Sequence, residues 1–152
     1  MSKKSKRQSI GALALITRKE NGKRYWLAQW NGGWSAFNFI GGHREEDESF
    51  RECVEREALE ELEIDASEMI ISEKPFKHLE YSAFSKSAGV ETNYVMELFD
   101  VELTEEGEKK AMKDNNNRWI SEDEVRAEKC DDGKTVSVTM KKLLTMAGLL
   151  DE

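Results

Sequence analysis

Glu57, Glu60 and Glu61 are the residues of this chain whose types and spacing best suit chemistry. Spaced i, i+3, i+4, they fall on one arc of roughly 100° if the segment is helical. Carboxylates crowded in this way repel one another, and stripping water from them costs free energy. A hard divalent cation, which prefers oxygen ligands, relieves both problems. The spacing therefore points to a metal site. The plainer alternative is a solvated helical face, since charged residues make up 36% of the chain. Arg56 lies four residues from both Glu52 and Glu60, as in an ordinary surface ladder of ion pairs.

The stretch that must position these glutamates has two parts. Ser49 and Glu52 form the S-x-x-E capping box that opens a helix. From there to Leu62 no Pro or Gly interrupts it, and Val54, Ala58 and Leu62 make an i, i+4, i+8 apolar stripe beside the acids. Ahead of it, Gly41-Gly42-His43-Arg44-Glu45-Glu46-Asp47-Glu48 reads as a glycine-led loop. From Gly42 the pattern is Gly, x5, Glu48, x7, then Arg56-Glu57-Ala58-Leu59-Glu60-Glu61-Leu62-Glu63-Ile64. It resembles the signature of the Nudix hydrolases, G-x5-E-x7-R-E-U-x-E-E-x-G-U with U aliphatic, and keeps every charged position at its spacing. The family usually has Pro, Gly and Gly where this chain has Ile40, Asp47 and Glu63. All three are backbone-shaping positions and none is a metal ligand. Asp tolerates positive φ at modest cost, whereas Glu is a poorer substitute for Gly at a helix C-cap.

The resemblance implies an α/β/α sandwich with a mixed β-sheet over nearly the whole chain. It also implies hydrolysis of a nucleoside diphosphate linked to another group, with Mg2+ or Mn2+ required. Carried over position by position, the Gly41 carbonyl, Glu57 and Glu61 would hold the principal metal. Glu60 would be a further ligand or the group that activates water, and Arg56 would orient Glu57. Glu48 would contact the metal cluster from the loop. These assignments leave open which glutamate is the general base. Beyond the box, Glu97 lies on a strand that the family places near the site and is a candidate accessory acid. Asp114 is another, in a polar turn where Asn115, Asn116 and Asn117 follow. Among the aromatic residues near the box, Trp34 and Phe39 are candidates to stack on a base. The substrate expected is a small-molecule nucleotide, with nucleoside triphosphates favoured. The alternative is a Nudix-fold sensor or regulator that binds a nucleotide without hydrolysing it.

The rest of the chain fits that frame. With 152 residues it suits one domain, expected over 9–150 behind a flexible basic tail at 1–8 that carries Lys3, Lys4, Lys6 and Arg7. A net charge of −8 and a pI near 5.0 argue against nucleic-acid or membrane partners. No apolar run is long enough for a membrane span, no signal-peptide pattern follows the start, and two cysteines make no disulfide framework. A cytoplasmic protein is the expectation, with its oligomeric state left open and a homodimer among the alternatives. Strands are expected over 9–17, 23–30, 34–40, 68–72, 77–84, 91–103 and 118–120. Asn21-Gly22 reads as a hairpin turn, and Val136 to Leu150 carries the apolar period of a closing amphipathic helix.

Overall fold

The computed structural model describes residues 7–151. The chain opens with β1 (Arg7–Leu15), bends at Ile16 into β2 (Thr17–Glu20), and returns as β3 (Lys23–Asn31). Asn21 and Gly22 make the turn between the last two with positive φ at both positions, as a two-residue hairpin requires. Next come β4 (Ala36–His43), α1 (Phe50–Leu62), a single 3₁₀ turn (Ala66–Glu68), β5 (Met69–Ile71), β6 (Lys77–Ser85) and β7 (Val90–Leu103). The chain ends with α2 (Glu105–Ala111), β8 (Asn117–Ser121), α3 (Glu122–Ala127) and α4 (Val138–Met146).

The strands form one mixed sheet in the order β2-β3-β4-β1-β7-β5, with β6 also on β7 and β8 also on β3. Only β1 and β7 run parallel; the other pairs are antiparallel. One core lies on the face covered by α4 and includes Leu13, Phe37, Leu98, Met140 and Leu144. The other lies beneath α1 and includes Ala12, Ile40, Val54, Ala58 and Leu62. Helix, sheet and helix make the α/β/α sandwich expected. No helix among the described residues is long and apolar enough to cross a membrane.

Several local expectations need correction. The glycine pair belongs to β4 and not to a loop, because Gly41 and Gly42 pair with Leu13 and Ala12. The strand expected over 9–17 is β1 as far as Leu15, with a break at Ile16 before β2 begins at Thr17, and that expected over 68–72 is β5 at Met69–Ile71, with Glu68 ending the 3₁₀ turn. Asn117 belongs to β8 through its pairing with Gln29. Val136 precedes the closing helix and bridges to Phe37 instead. Residues 1–6 of the expected tail lie outside the described residues, while Arg7 and Gln8 pair with Thr92 and Asn93 in β1.

The site depends on how β4 changes partner. Its first half pairs with β3, from Ala36 to Phe39, and its second half pairs with β1, from Ile40 to His43. The side of the first half away from β3 is met by the segment before α4: Phe37 donates to the Thr135 carbonyl and Ser137 donates to the Phe37 carbonyl. The sheet thus parts at Ile40–Gly41, beside the C-terminal end of α1.

Candidate active site

Helix α1 starts where the sequence says it should. The Ser49 hydroxyl accepts from the Glu52 N–H at 3.0 Å, and the Glu52 carboxylate accepts from the Ser49 N–H at 2.9 Å. Cys53, Val54, Ala58 and Leu62 face the core, which rotates Glu57 and Glu61 toward the opening in the sheet. Two glycines receive them. A Cβ on Gly42 would sit 2.6 Å from the Glu57 carboxyl carbon, so that carboxylate rests on bare backbone. Gly41 has φ of 148°, and a Cβ there would run into the Ala12 carbonyl and Leu13. Its N–H donates to Glu61 Oε2 at 3.0 Å. Beneath them Cys53 is fully buried, and burial pushes its thiol up to about 11, which keeps it protonated.

Arg56 ties the loop to the helix. Its Nε and Nη2 grip both oxygens of Glu48 at 2.7 and 3.0 Å, its Nη1 donates to Glu57 at 2.9 Å, and Nη2 also donates to the His43 carbonyl. A two-pronged guanidinium–carboxylate pair is both strong and directional. Hydrogen bonding from Arg56, then from the Glu45 backbone, holds Glu48 at about 2, and hydrogen bonding to Glu48 and Glu57 raises Arg56. Glu61 moves the other way. Burial pushes its carboxyl up to about 7 against the Gly41 N–H, and the neighbouring Glu57 and Glu60 add to the rise. Glu60 is 64% exposed and lies 3.8 Å from Arg56 Nη1.

Among the described residues, no three His, Cys, Asp or Glu side chains are drawn together as a closed metal cage. The contacts explain why: Glu48 and Glu57 face Arg56, Glu61 faces the Gly41 N–H, and Glu60 faces solvent. The donor set nonetheless suits Mg2+ or Mn2+. It is all oxygen, and Glu61 lies in a setting that disfavours its charge unless a cation is near. Such an ion is ordinarily held by few carboxylates, with substrate oxygens and water completing its shell.

The cleft beside Glu61 has a volume of about 780 Å³ and runs between α4 and the sheet. Of the two aromatic candidates, Trp34 lines it and is 51% exposed, whereas Phe39 lines it but is only 7% exposed and belongs to the core. Glu97 continues the row Gly42, Ala12, Glu97, His78 across the sheet and bonds the His78 ring at 2.7 Å. Asp114 caps its own turn, accepting from the Asn116 N–H at 2.9 Å. Sequence reading missed the residues that hold the far end of the site. Gln29 donates to the Glu61 carbonyl at 3.1 Å and to Asn117 at 2.9 Å, which secures the last turn of α1. Among the Asn run that follows Asp114, Asn117 is therefore the one that bears on the site. Its only sequence signal is its place beside the Trp119 strand.

A NUDIX domain model matches residues 7–139. The chain belongs to the Nudix family. Members are typically pyrophosphohydrolases and generally use divalent metals. An Ap4A hydrolase of C. elegans is 18% identical over 93% of this chain and 92% of its own, with a TM-score of 0.56. The MutT protein of Methanosarcina mazei Go1 is 18% identical over 96% of each chain, with a TM-score of 0.58. Shewanella oneidensis NrtR, solved with a 27mer DNA, is 12% identical over 91% of this chain but 59% of its own, with a TM-score of 0.62. These likenesses show the Nudix fold. Comparison with the sequences of curated proteins returns no match.

Proposed function

We propose that this Nudix protein is a metal-dependent hydrolase that cleaves the pyrophosphate linkage of a nucleoside diphosphate derivative, with nucleoside triphosphates the favoured class. The observation that carries this reading is the seating of Glu57 and Glu61 on the backbone of Gly42 and Gly41 at the mouth of a nucleotide-sized cleft. A pyrophosphate is polyanionic, and water attacks it slowly because like charges repel. Mg2+ or Mn2+ bound there would shield that charge and lower the pKa of a bound water. Glu57, Glu61 and the Gly41 carbonyl would hold the ion, with Glu48 and Glu60 at its margin. Arg56 holds Glu57 in place. Glu60 or Glu61 would take the proton from the attacking water. Glu97 and Asp114 remain candidate accessory acids, Glu97 the better placed because its row includes Gly42.

The second reading is a Nudix-fold sensor or regulator that binds a nucleotide without hydrolysing it. Against it stands the full set of glutamates, a costly cluster for a binder to retain. The test is a panel of nucleoside triphosphates, nucleotide sugars and dinucleoside polyphosphates, assayed for pyrophosphate or nucleoside monophosphate release with Mg2+ and with excess chelator. Turnover is expected only with the metal, rising toward mildly alkaline pH. Undiminished activity in chelator, or nucleotide binding with no turnover on any substrate, overturns the hydrolytic reading.

A further inference from the structure

Gln29 and Asn38 face each other across the β3–β4 pair and line the cleft beside Glu61. Each is an amide whose orientation is fixed by one backbone partner with a single role, the Glu61 carbonyl for Gln29 and the Phe39 N–H for Asn38. The Glu61 carbonyl can only accept, so the Gln29 NH₂ must face it. The second hydrogen of that NH₂ goes to Asn117 Oδ1, which is itself the acceptor end because Asn117 Nδ2 donates to the Ala111 carbonyl at 2.7 Å. Both Gln29 donors are thereby used. Asn38 is set the opposite way. Its Oδ1 accepts from the Phe39 N–H at 2.9 Å and from the Ser137 hydroxyl at 3.0 Å. The Phe39 N–H can only donate, which puts the Asn38 oxygen on that side, and the Ser137 hydroxyl, whose oxygen accepts from the Met140 N–H as the N-cap of α4, gives its proton to the same oxygen.

What remains is one free acceptor and one free donor. Among the described residues no donor meets Gln29 Oε1 and no acceptor meets Asn38 Nδ2. Directly paired residues on an antiparallel ladder hold their Cβ atoms about 5 Å apart. The cleft thus carries a neighbouring acceptor and donor, both neutral, whose identities are fixed from behind. Phosphate would call for cations and a metal for carboxylates. A neutral acceptor–donor pair suits the edge of a nucleobase, which offers adjacent groups of both kinds. Trp34, exposed at the tip of the same hairpin, offers a face on which such a base can stack.

We infer that Gln29 Oε1 and Asn38 Nδ2 are the base-reading pair of this cleft and set which nucleotide is preferred. The inference rests on the nucleotide-hydrolase reading and deepens it. The test is Asn38→Asp, which keeps the oxygen that Phe39 and Ser137 use and replaces only the free donor with an acceptor. Full-length wild type and variant are compared on ATP, GTP, CTP and UTP with Mg2+, both for kcat/KM and for binding by calorimetry. A general loss from the added negative charge would lower all four together. Base reading by Asn38 instead reorders them, with the preferred nucleotide falling at least tenfold relative to the least preferred. Ratios within twofold of wild type in both measurements overturn the inference. If nucleotides bind with a reordered preference but none is hydrolysed, the inference stands and the hydrolytic reading fails. Should Asn38→Asp not fold, Asn38→Ala also removes the donor and is read by the same ratios.

Discussion

Glu61 is pulled in two directions by its surroundings. Burial disfavours its charge, while the Gly41 N–H supports it, and the balance leaves the carboxyl near 7 against an ordinary 4.5. A folded-state value raised in this way means that the native protein holds a proton the unfolded chain has lost. The contribution of Glu61 to the stability of the metal-free protein is then fully present below about pH 4.5 and is lost as pH rises through 7. The loss from this one group is on the order of 3 kcal/mol. Glu61→Gln cannot ionise, so its metal-free stability should equal or exceed that of wild type at pH 7.5, and the gap should close toward pH 5. Denaturant melts in chelator at both pH values check this, and a variant less stable than wild type at pH 7.5 would contradict it. Turnover in the same variant should drop at least about a hundredfold, or ~2.7 kcal/mol in barrier. The box residues were legible because their chemistry is written in type and spacing. Gln29 and Asn38 were not, because they are held in part by Asn117 and Ser137, far away in sequence, and amide residues on strands carry no pattern of their own.

At the level of elements, the start of α1 and its end differ in how well the sequence serves them. Ser49 and Glu52 form both halves of the capping box. At the other end the C-cap is Glu63 with φ of 55° and ψ of 48°, left-handed geometry that a side chain with a Cβ adopts at a cost. Asp47, the other site where the family usually has Gly before the helix, also has positive φ, at 67°. The backbone of the family has therefore been kept while its glycines have been replaced. Glu63→Gly should stabilise the protein, by a few tenths to ~1 kcal/mol, with turnover unchanged. Thermal melting checks it, and a clear loss of stability would show that Glu63 makes a compensating contact. The capping box of α1 and the Asn21-Gly22 hairpin were legible because each is a local rule with a fixed offset. Gly41-Gly42 misled for the opposite reason. Glycines after an apolar run usually end a strand, but these lie within one, where Glu57 and the β1 backbone approach too closely for a Cβ.

At the scale of the whole molecule, the site exists because β4 serves two partners. Pairing with β3 and then β1 leaves an opening at Gly41 that no single strand or helix could make. The α1 glutamates enter it from one face, and the cleft under α4 reaches it from the other. This long-range arrangement was legible only through the family resemblance, since periodicity says which residues are buried but not where a sheet parts. It also makes the metal a link between layers. An ion at Glu57 and Glu61 would join α1 to β4, so binding should stabilise the native state as a whole by mass action. At Mg2+ ten times its dissociation constant the gain is about 1.4 kcal/mol, or about 3–5 °C in Tm for a domain of this size. Glu61→Gln should lose most of that rise while melting no lower than wild type in chelator at pH 7.5. A merely solvated acidic face predicts that Mg2+ treats both proteins alike. A binding domain without hydrolysis predicts the same metal-dependent rise but no turnover to lose. Melting curves of both proteins across a Mg2+ titration, run beside the hydrolysis assay, separate the three. An equal Mg2+ response in wild type and variant would place the metal elsewhere than on Glu61.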